Sequence, residues 1–64
     1  MHTIIRRRRV EAKTALPRSS LYAKIKAGDF PPPIRLGPNT VGWIEAEVDS
    51  WLSAQIEKSR KAAD

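Results

Sequence analysis

The chain predicts a single small domain, mainly α with one β-hairpin, and three observations carry that expectation. Three stretches have helical character, at 8–13, 18–27 and from 45 onward. Between the second and third lie two short β-prone runs, 34–36 and 41–44, separated by Gly37, Pro38, Asn39 and Thr40, a hairpin pattern with a loop of four. With 64 residues and no cysteine, the chain can build one domain over 1–64, and its small core must come from apolar side chains alone.

After a short extended start at 3–5, Val10 is the one clear apolar anchor of the first helix, and Ala15, Leu16 and Pro17 then break its pattern. Ala15 is read as a turn residue with ordinary negative φ. Proline suits the first turn of a helix, where its missing N–H has no partner to lose, so a second helix should start here. Over 18–27, Leu21 and Ile25 sit four apart on one face, and Gly28 follows as a left-handed stop. Phe30 and the run Pro31, Pro32, Pro33 form a stiff connector, because prolines lack donors and hold their predecessors extended.

In the hairpin, Ile34 and Leu36 share one strand face and Arg35 the other, so one side can pack and the other can stay open. Trp43 belongs on the packed side. From Glu45, Val48, Trp51, Leu52 and Ile56 recur at helical spacing, with acids in the first turns and Lys58, Arg60 and Lys61 near the end, complementing the helix dipole. Residues 61–64 should fray. Trp43, Trp51, Val48, Leu21 and Ile25 are the expected core. With the stripe through Ile56 used to cover it, no second stripe remains for a dimer, which predicts a monomer that binds adjacent sites cooperatively.

The net charge of +5 is unevenly spread. Residues 1–36 hold nine Lys or Arg against two acids, giving +7, and the remainder holds three against five, giving −2. Such a basic lobe fits a polyanion-binding face, and equally a solubilising surface. The cluster Arg6, Arg7, Arg8, Arg9 admits both phosphate contact and a solvated basic start at 1–9. Catalysis finds little support: the one histidine, His2, stands beside the terminus, and there is no thiol, glycine-rich phosphate loop or carboxylate cluster. Glu45, Glu47 and Asp49 alternate at a helix start, where acids are favoured by the dipole, so neither metal nor cofactor is expected. No run approaches the roughly 20 apolar residues of a membrane span, and no apolar signal region follows the arginines, so a cytoplasmic location is expected. Trp43 and Trp51 suit a core better than a single-strand stacking platform, since both lie in segments that must pack.

A short helix, a tight turn and a helix opening Pro17-Arg18-Ser19-Ser20, followed by a hairpin, make a winged helix-turn-helix. With Leu21 and Ile25 inward, the outward face of the second helix is Ser19, Ser20, Ala23, Lys26 and Ala27. Small residues let a helix approach bases closely, and Ala23 could meet a thymine methyl. An ordinary surface helix would carry more Glu–Lys pairs. Arg7, Arg8, Arg18 and Arg35 are expected to hold phosphates.

The run 6–52 resembles the AlpA-like regulators and small phage excisionases, relatives of MerR-type winged helices. The resemblance rests on Thr14-Ala15-Leu16-Pro17-Arg18-Ser19-Ser20-Leu21-Tyr22, then Ile25-Lys26-Ala27-Gly28-Asp29-Phe30-Pro31, Leu36-Gly37, Val41-Gly42-Trp43 and Glu47-Val48-Asp49-Ser50-Trp51-Leu52. It implies a helix that reads the major groove of double-stranded DNA through Arg18, Ser19, Ser20, Tyr22 and Lys26, and a wing near the minor groove with Asn39 and Thr40 at its tip. Family members commonly have glycine where Ala15 stands, serine where Pro17 stands, arginine where Asn39 stands and an apolar residue where Arg7 stands. The expected role is a mobile-element transcription regulator or excisionase, partnered by an integrase (a site-specific recombinase) or RNA polymerase. The rival is an interaction module that docks through the C-terminal amphipathic helix.

Overall fold

In the computed structural model, which describes residues 2–63, the elements run β1 (Ile4–Ile5), α1 (Arg7–Thr14), α2 (Arg18–Ala27), β2 (Ile34–Gly37), β3 (Thr40–Ile44) and α3 (Glu45–Ala63). The architecture is that of a small winged helix-turn-helix domain. Helix α1 runs one residue beyond its expected bounds at each end. Only Val10 of α1 is fully buried, as its sequence implies. The turn to α2 is three residues long.

That turn departs from expectation at Ala15, which lies at φ 57, ψ 25 in the left-handed region instead of at negative φ. Helix α1 stops there because its last turn needs a left-handed residue, and alanine fills a position glycine would fill with less strain. Leu16 then packs against the core. Pro17 at φ −69, ψ 162 stands just outside α2 as its N-cap and accepts from the Leu21 N–H at 2.9 Å through its carbonyl. At the far end, Gly28 at φ 81 donates to the Ile25 carbonyl and Asp29 donates to that of Lys24, the paired bonds of a Schellman stop.

The extended start becomes a third strand. The sheet has the order β1-β3-β2, all antiparallel, with Ile4 opposite Ile44 and Ile5 opposite Trp43. The Glu45 N–H donates to the Thr3 carbonyl at 2.8 Å, carrying the pairing into the start of α3. In the hairpin, Gly37 pairs with Thr40, so the loop is the two residues Pro38 and Asn39, two fewer than expected. Proline cannot take the positive φ that primed turns need at the first loop position, and Asn39 at φ 56 supplies it at the second, as in a type II turn. The register shifts between Arg35 and Gly37, leaving Leu36 as an extra residue in a bulge.

The register also reverses the expected sides of β2. Partners directly opposite share a face, so Arg35 stands on the side of Val41 and Trp43, while Ile34 stands with Gly42 on the outer side. Ile34 and Leu36 are exposed, not packed. Gly42 makes room for Ile4 and Leu36: a Cβ there would meet the Ile4 Cγ2 at 2.5 Å and the Leu36 Cδ1 at 3.2 Å.

The core is Ile5, Val10, Leu21, Phe30, Trp43 and Val48, with Leu16, Ile25, Val41, Trp51 and Leu52 packed against it. Trp43, Val48 and Leu21 are where the sequence put them. Trp51 and Ile25 are half-buried at its margin, and Phe30, expected in a connector, is 4% exposed. Phe30 meets Trp51 edge-to-face at 4.8 Å. The two indoles also pin the connector: Trp43 Nε1 donates to the Pro31 carbonyl at 3.1 Å and Trp51 Nε1 donates to that of Asp29. Helix α3 remains helical to Ala63, through the turn expected to fray, and Asp64 lies outside the described residues. Ile56, expected to cover the core, is 49% exposed, because α3 extends past the body of the domain after Gln55.

Candidate nucleic-acid interface

Helix α2 exposes one arc and buries the other. At about 100° per residue, Arg18, Tyr22, Lys26, Ser19, Ala23 and Ala27 fall within half the circumference, and all six are exposed. Leu21 is fully buried, Ile25 half-buried, and Ser20 and Lys24 mark the border. Ser20 is thus more sheltered than its expected place on the outward face, and Arg18 and Tyr22 extend that face. The arc contains no acid. Pro17 offers no capping side chain and the first turn has no carboxylate, so the first N–H groups of α2 have no side-chain acceptor within the helix.

Among the described residues, three ion pairs sort the cations. Arg7 is held by Glu11 at 3.1 Å, one turn along α1. Lys13 reaches Glu45 at 3.0 Å and Asp49 at 2.6 Å, tying α1 to the start of α3. The hydrogen bond to Asp49, then that to Glu45, holds the Lys13 ammonium above the usual lysine pKa. Glu45 and Asp49 therefore serve a lysine, and among the described residues no His, Cys, Asp and Glu gather in a way that could hold a metal ion. No local pattern announces this link, because its partners lie 32 and 36 positions apart.

Arg6, Arg8, Arg9, Arg18, Lys24, Lys26 and Arg35 make no ion pair among the described residues. Arg8 and Arg9, with Ala12 and Lys13, line an open depression on α1, and Arg6, Arg7 and Arg8 line another. Arg35 is exposed on β2. Asn39 is exposed at the hairpin tip, and Thr40 beside it is half-buried, its hydroxyl donating to the Pro38 carbonyl at 3.1 Å. The Arg18 guanidinium lies over the Tyr22 ring, 5.9 Å from its centroid. No helix among the described residues is long and apolar enough to cross a membrane.

The chain is 39% identical over 60 residues to the DNA-binding transcriptional activator AlpA of Escherichia coli (strain K12), covering 84% of this chain and 86% of that protein. It is 37% identical over 49 residues to the uncharacterized protein ORF88 of Enterobacteria phage P4, covering 77% of this chain and 56% of that longer protein. The model of the prophage CP4-57 regulatory protein (AlpA) family matches residues 3–56, from β1 into the fourth turn of α3, and the chain belongs to that family.

Proposed function

We propose that the chain is a sequence-specific double-stranded DNA-binding protein of a mobile element, which regulates transcription or acts as an excisionase beside a recombinase. One observation carries the reading: the exposed arc of α2 is built of small, hydroxyl and cationic residues without an acid, directly after a three-residue turn. A major groove about 12 Å wide admits one helix, and this arc lets the backbone come close to base edges. The E. coli relative's description as a DNA-binding transcriptional activator supports the same reading and favours transcription control.

In this reading Ser19, Ser20, Ala23 and Lys26 approach bases. Arg8, Arg18 and Arg35 hold phosphates, and Asn39 and Thr40 bring the wing to the minor groove. Arg7 contributes less, since Glu11 already holds it. Among the described residues the exposed large apolar ones are Ile4, Tyr22, Ile34, Leu36 and Ile56, few for the apolar centre of a stable dimer interface, which supports a monomer that fills adjacent sites on DNA. The exposure of Ile56 also supports a second reading, in which the end of α3 docks on a protein partner such as RNA polymerase or an integrase.

The test is DNA binding across a salt titration, with duplex fragments flanking the protein's own coding sequence set against unrelated duplex. The expected result is a salt-sensitive complex, tighter on a flanking fragment by about 10³-fold or more. Equal affinity for all fragments would remove sequence specificity. Absence of any salt-sensitive complex would leave the docking module as the better reading.

A further inference from the structure

Two arginines of this domain have a partner four residues on, and the partners differ in kind. Arg7 is held by the Glu11 carboxylate, and Arg18 lies over the aromatic face of Tyr22. Helical side chains tilt toward the N-terminus, so the Tyr22 ring leans back over the turn that Arg18 begins. Arg18 has no ion-pair partner among the described residues, and no acid stands in the first turn of α2. Both side chains are exposed.

We propose that Tyr22 is a positioning residue, which holds the Arg18 guanidinium in place for a DNA phosphate while leaving its charge and its N–H groups free. This rests on the reading of α2 as the helix that faces DNA. A carboxylate partner takes up the guanidinium N–H groups and cancels the charge. An aromatic ring attracts the cation through the negative potential of its face and uses none of the five donors, so they remain available to an oxyanion. A long side chain that would otherwise lose rotamer freedom on binding has then lost part of it beforehand. The ring face, and not the phenol hydroxyl, carries the effect.

The test is a double-mutant cycle on the whole protein, with binding to a mixed-sequence DNA duplex measured by fluorescence anisotropy across a salt titration. Arg18→Ala is expected to weaken binding and lower the salt slope by about one unit. Tyr22→Leu keeps apolar bulk without the charged-face attraction, and should weaken binding about two- to fivefold in the wild-type background and negligibly in Arg18→Ala. Tyr22→Phe should bind as wild type, and thermal melts should show every variant folded at the temperature of the binding assay, since Leu21, the buried anchor of α2, is untouched. An equal effect of Tyr22→Leu with and without Arg18 would overturn the proposal by showing that Tyr22 acts alone. A loss in Tyr22→Phe would overturn it in favour of a hydroxyl contact. A wild-type complex indifferent to Arg18→Ala would overturn it while leaving the DNA-facing helix intact, whereas no salt-sensitive complex in the wild type would bring down the reading of α2 itself.

Discussion

Helices α1 and α2 are neighbours of similar length, each rich in cations and each with one fully buried anchor, Val10 and Leu21. Their charges are used differently. On α1, Arg7 is neutralised by Glu11, and Lys13 is absorbed into a bridge with Glu45 and Asp49. On α2 no cation is ion-paired among the described residues, and the exposed arc has no acid. Their ends differ too: α1 stops on a left-handed alanine, α2 on a left-handed glycine. A count of basic residues does not separate the ion-paired cations from the unpaired ones among the described residues; the fold does. The Lys13 bridge follows the same logic in pH. Its ammonium is held above the ordinary lysine pKa, so its contribution to folding is complete below that value and is lost only as pH rises through the folded-state pKa, well on the alkaline side.

One core lies beneath both helices, and its removal should have the largest effect. Trp43→Ala is expected to cost about 3 to 5 kcal/mol, because the ring is 1% exposed and its N–H anchors Pro31. A domain of this size has about 3 to 10 kcal/mol in total, so the variant should be largely unfolded by circular dichroism at room temperature. Trp51→Ala should cost about 1 to 3 kcal/mol, because Trp51 is half-buried at the margin. Equal urea midpoints for the two variants would contradict the ranking.

Substitution on the exposed arc should separate binding from folding. Ala23→Glu places a negative charge in the middle of the exposed arc of α2 without touching Leu21 or Ile25. The melt should be preserved within about 0.5 kcal/mol. Affinity for the specific site should fall by at least the 1 to 3 kcal/mol typical of a lost base contact, about 5- to 150-fold. Normal binding by a folded Ala23→Glu protein would mean that α2 does not enter the groove.

Much of this fold was legible because local rules and packing agree there. Leu21, Ile25 and Gly28 define α2, a proline cluster breaks the chain, and Val48 with Trp51 and Leu52 marks the inner face of α3. The departures arise where a distant partner decides. Phe30 looks like connector until Trp51 provides an edge-to-face neighbour. The start at Ile4–Ile5 becomes a strand only because β3 offers it a free edge. Leu36 leaves the alternating pattern through a bulge, which no period-two pattern contains. At the candidate interface, helical periodicity gave most of the exposed arc, but the neutralisation of Lys13 joins positions far apart in sequence and had no local signature.

The contrast between the two helix ends leads to a smaller effect on stability. An L-residue in the left-handed region loses roughly 1 to 2 kcal/mol, and glycine returns about 0.5 to 1 of that as extra chain entropy lost on folding. Ala15 is exposed, so its methyl group adds little packing. Ala15→Gly should therefore stabilise the domain by about 0.5 to 1 kcal/mol, read as a higher urea midpoint at constant slope. A lower midpoint would show that the α1–α2 turn is not left-handed in solution.

The finest test asks whether an ion pair removes an arginine from the DNA-facing charge. Arg7 and Arg8 are adjacent on α1, but among the described residues only Arg7 has a carboxylate partner. Each phosphate neutralised by a protein cation contributes about 0.9 to the slope of log affinity against log salt, through the counterions it releases. If Arg8 meets a phosphate, Arg8→Gln should lower that slope by about one unit on specific and mixed-sequence duplex alike. Arg7→Gln alone is ambiguous, because it leaves the Glu11 charge uncompensated near the DNA. The informative variant is Arg7→Gln with Glu11→Gln, which removes both charges and leaves the net charge unchanged. Its slope should match wild type, since the pair contributes no free cation. An equal fall in the Arg8→Gln and double variants would show that Arg7 leaves Glu11 for a phosphate on binding, and that pairing in the free protein does not predict which arginines of α1 reach DNA.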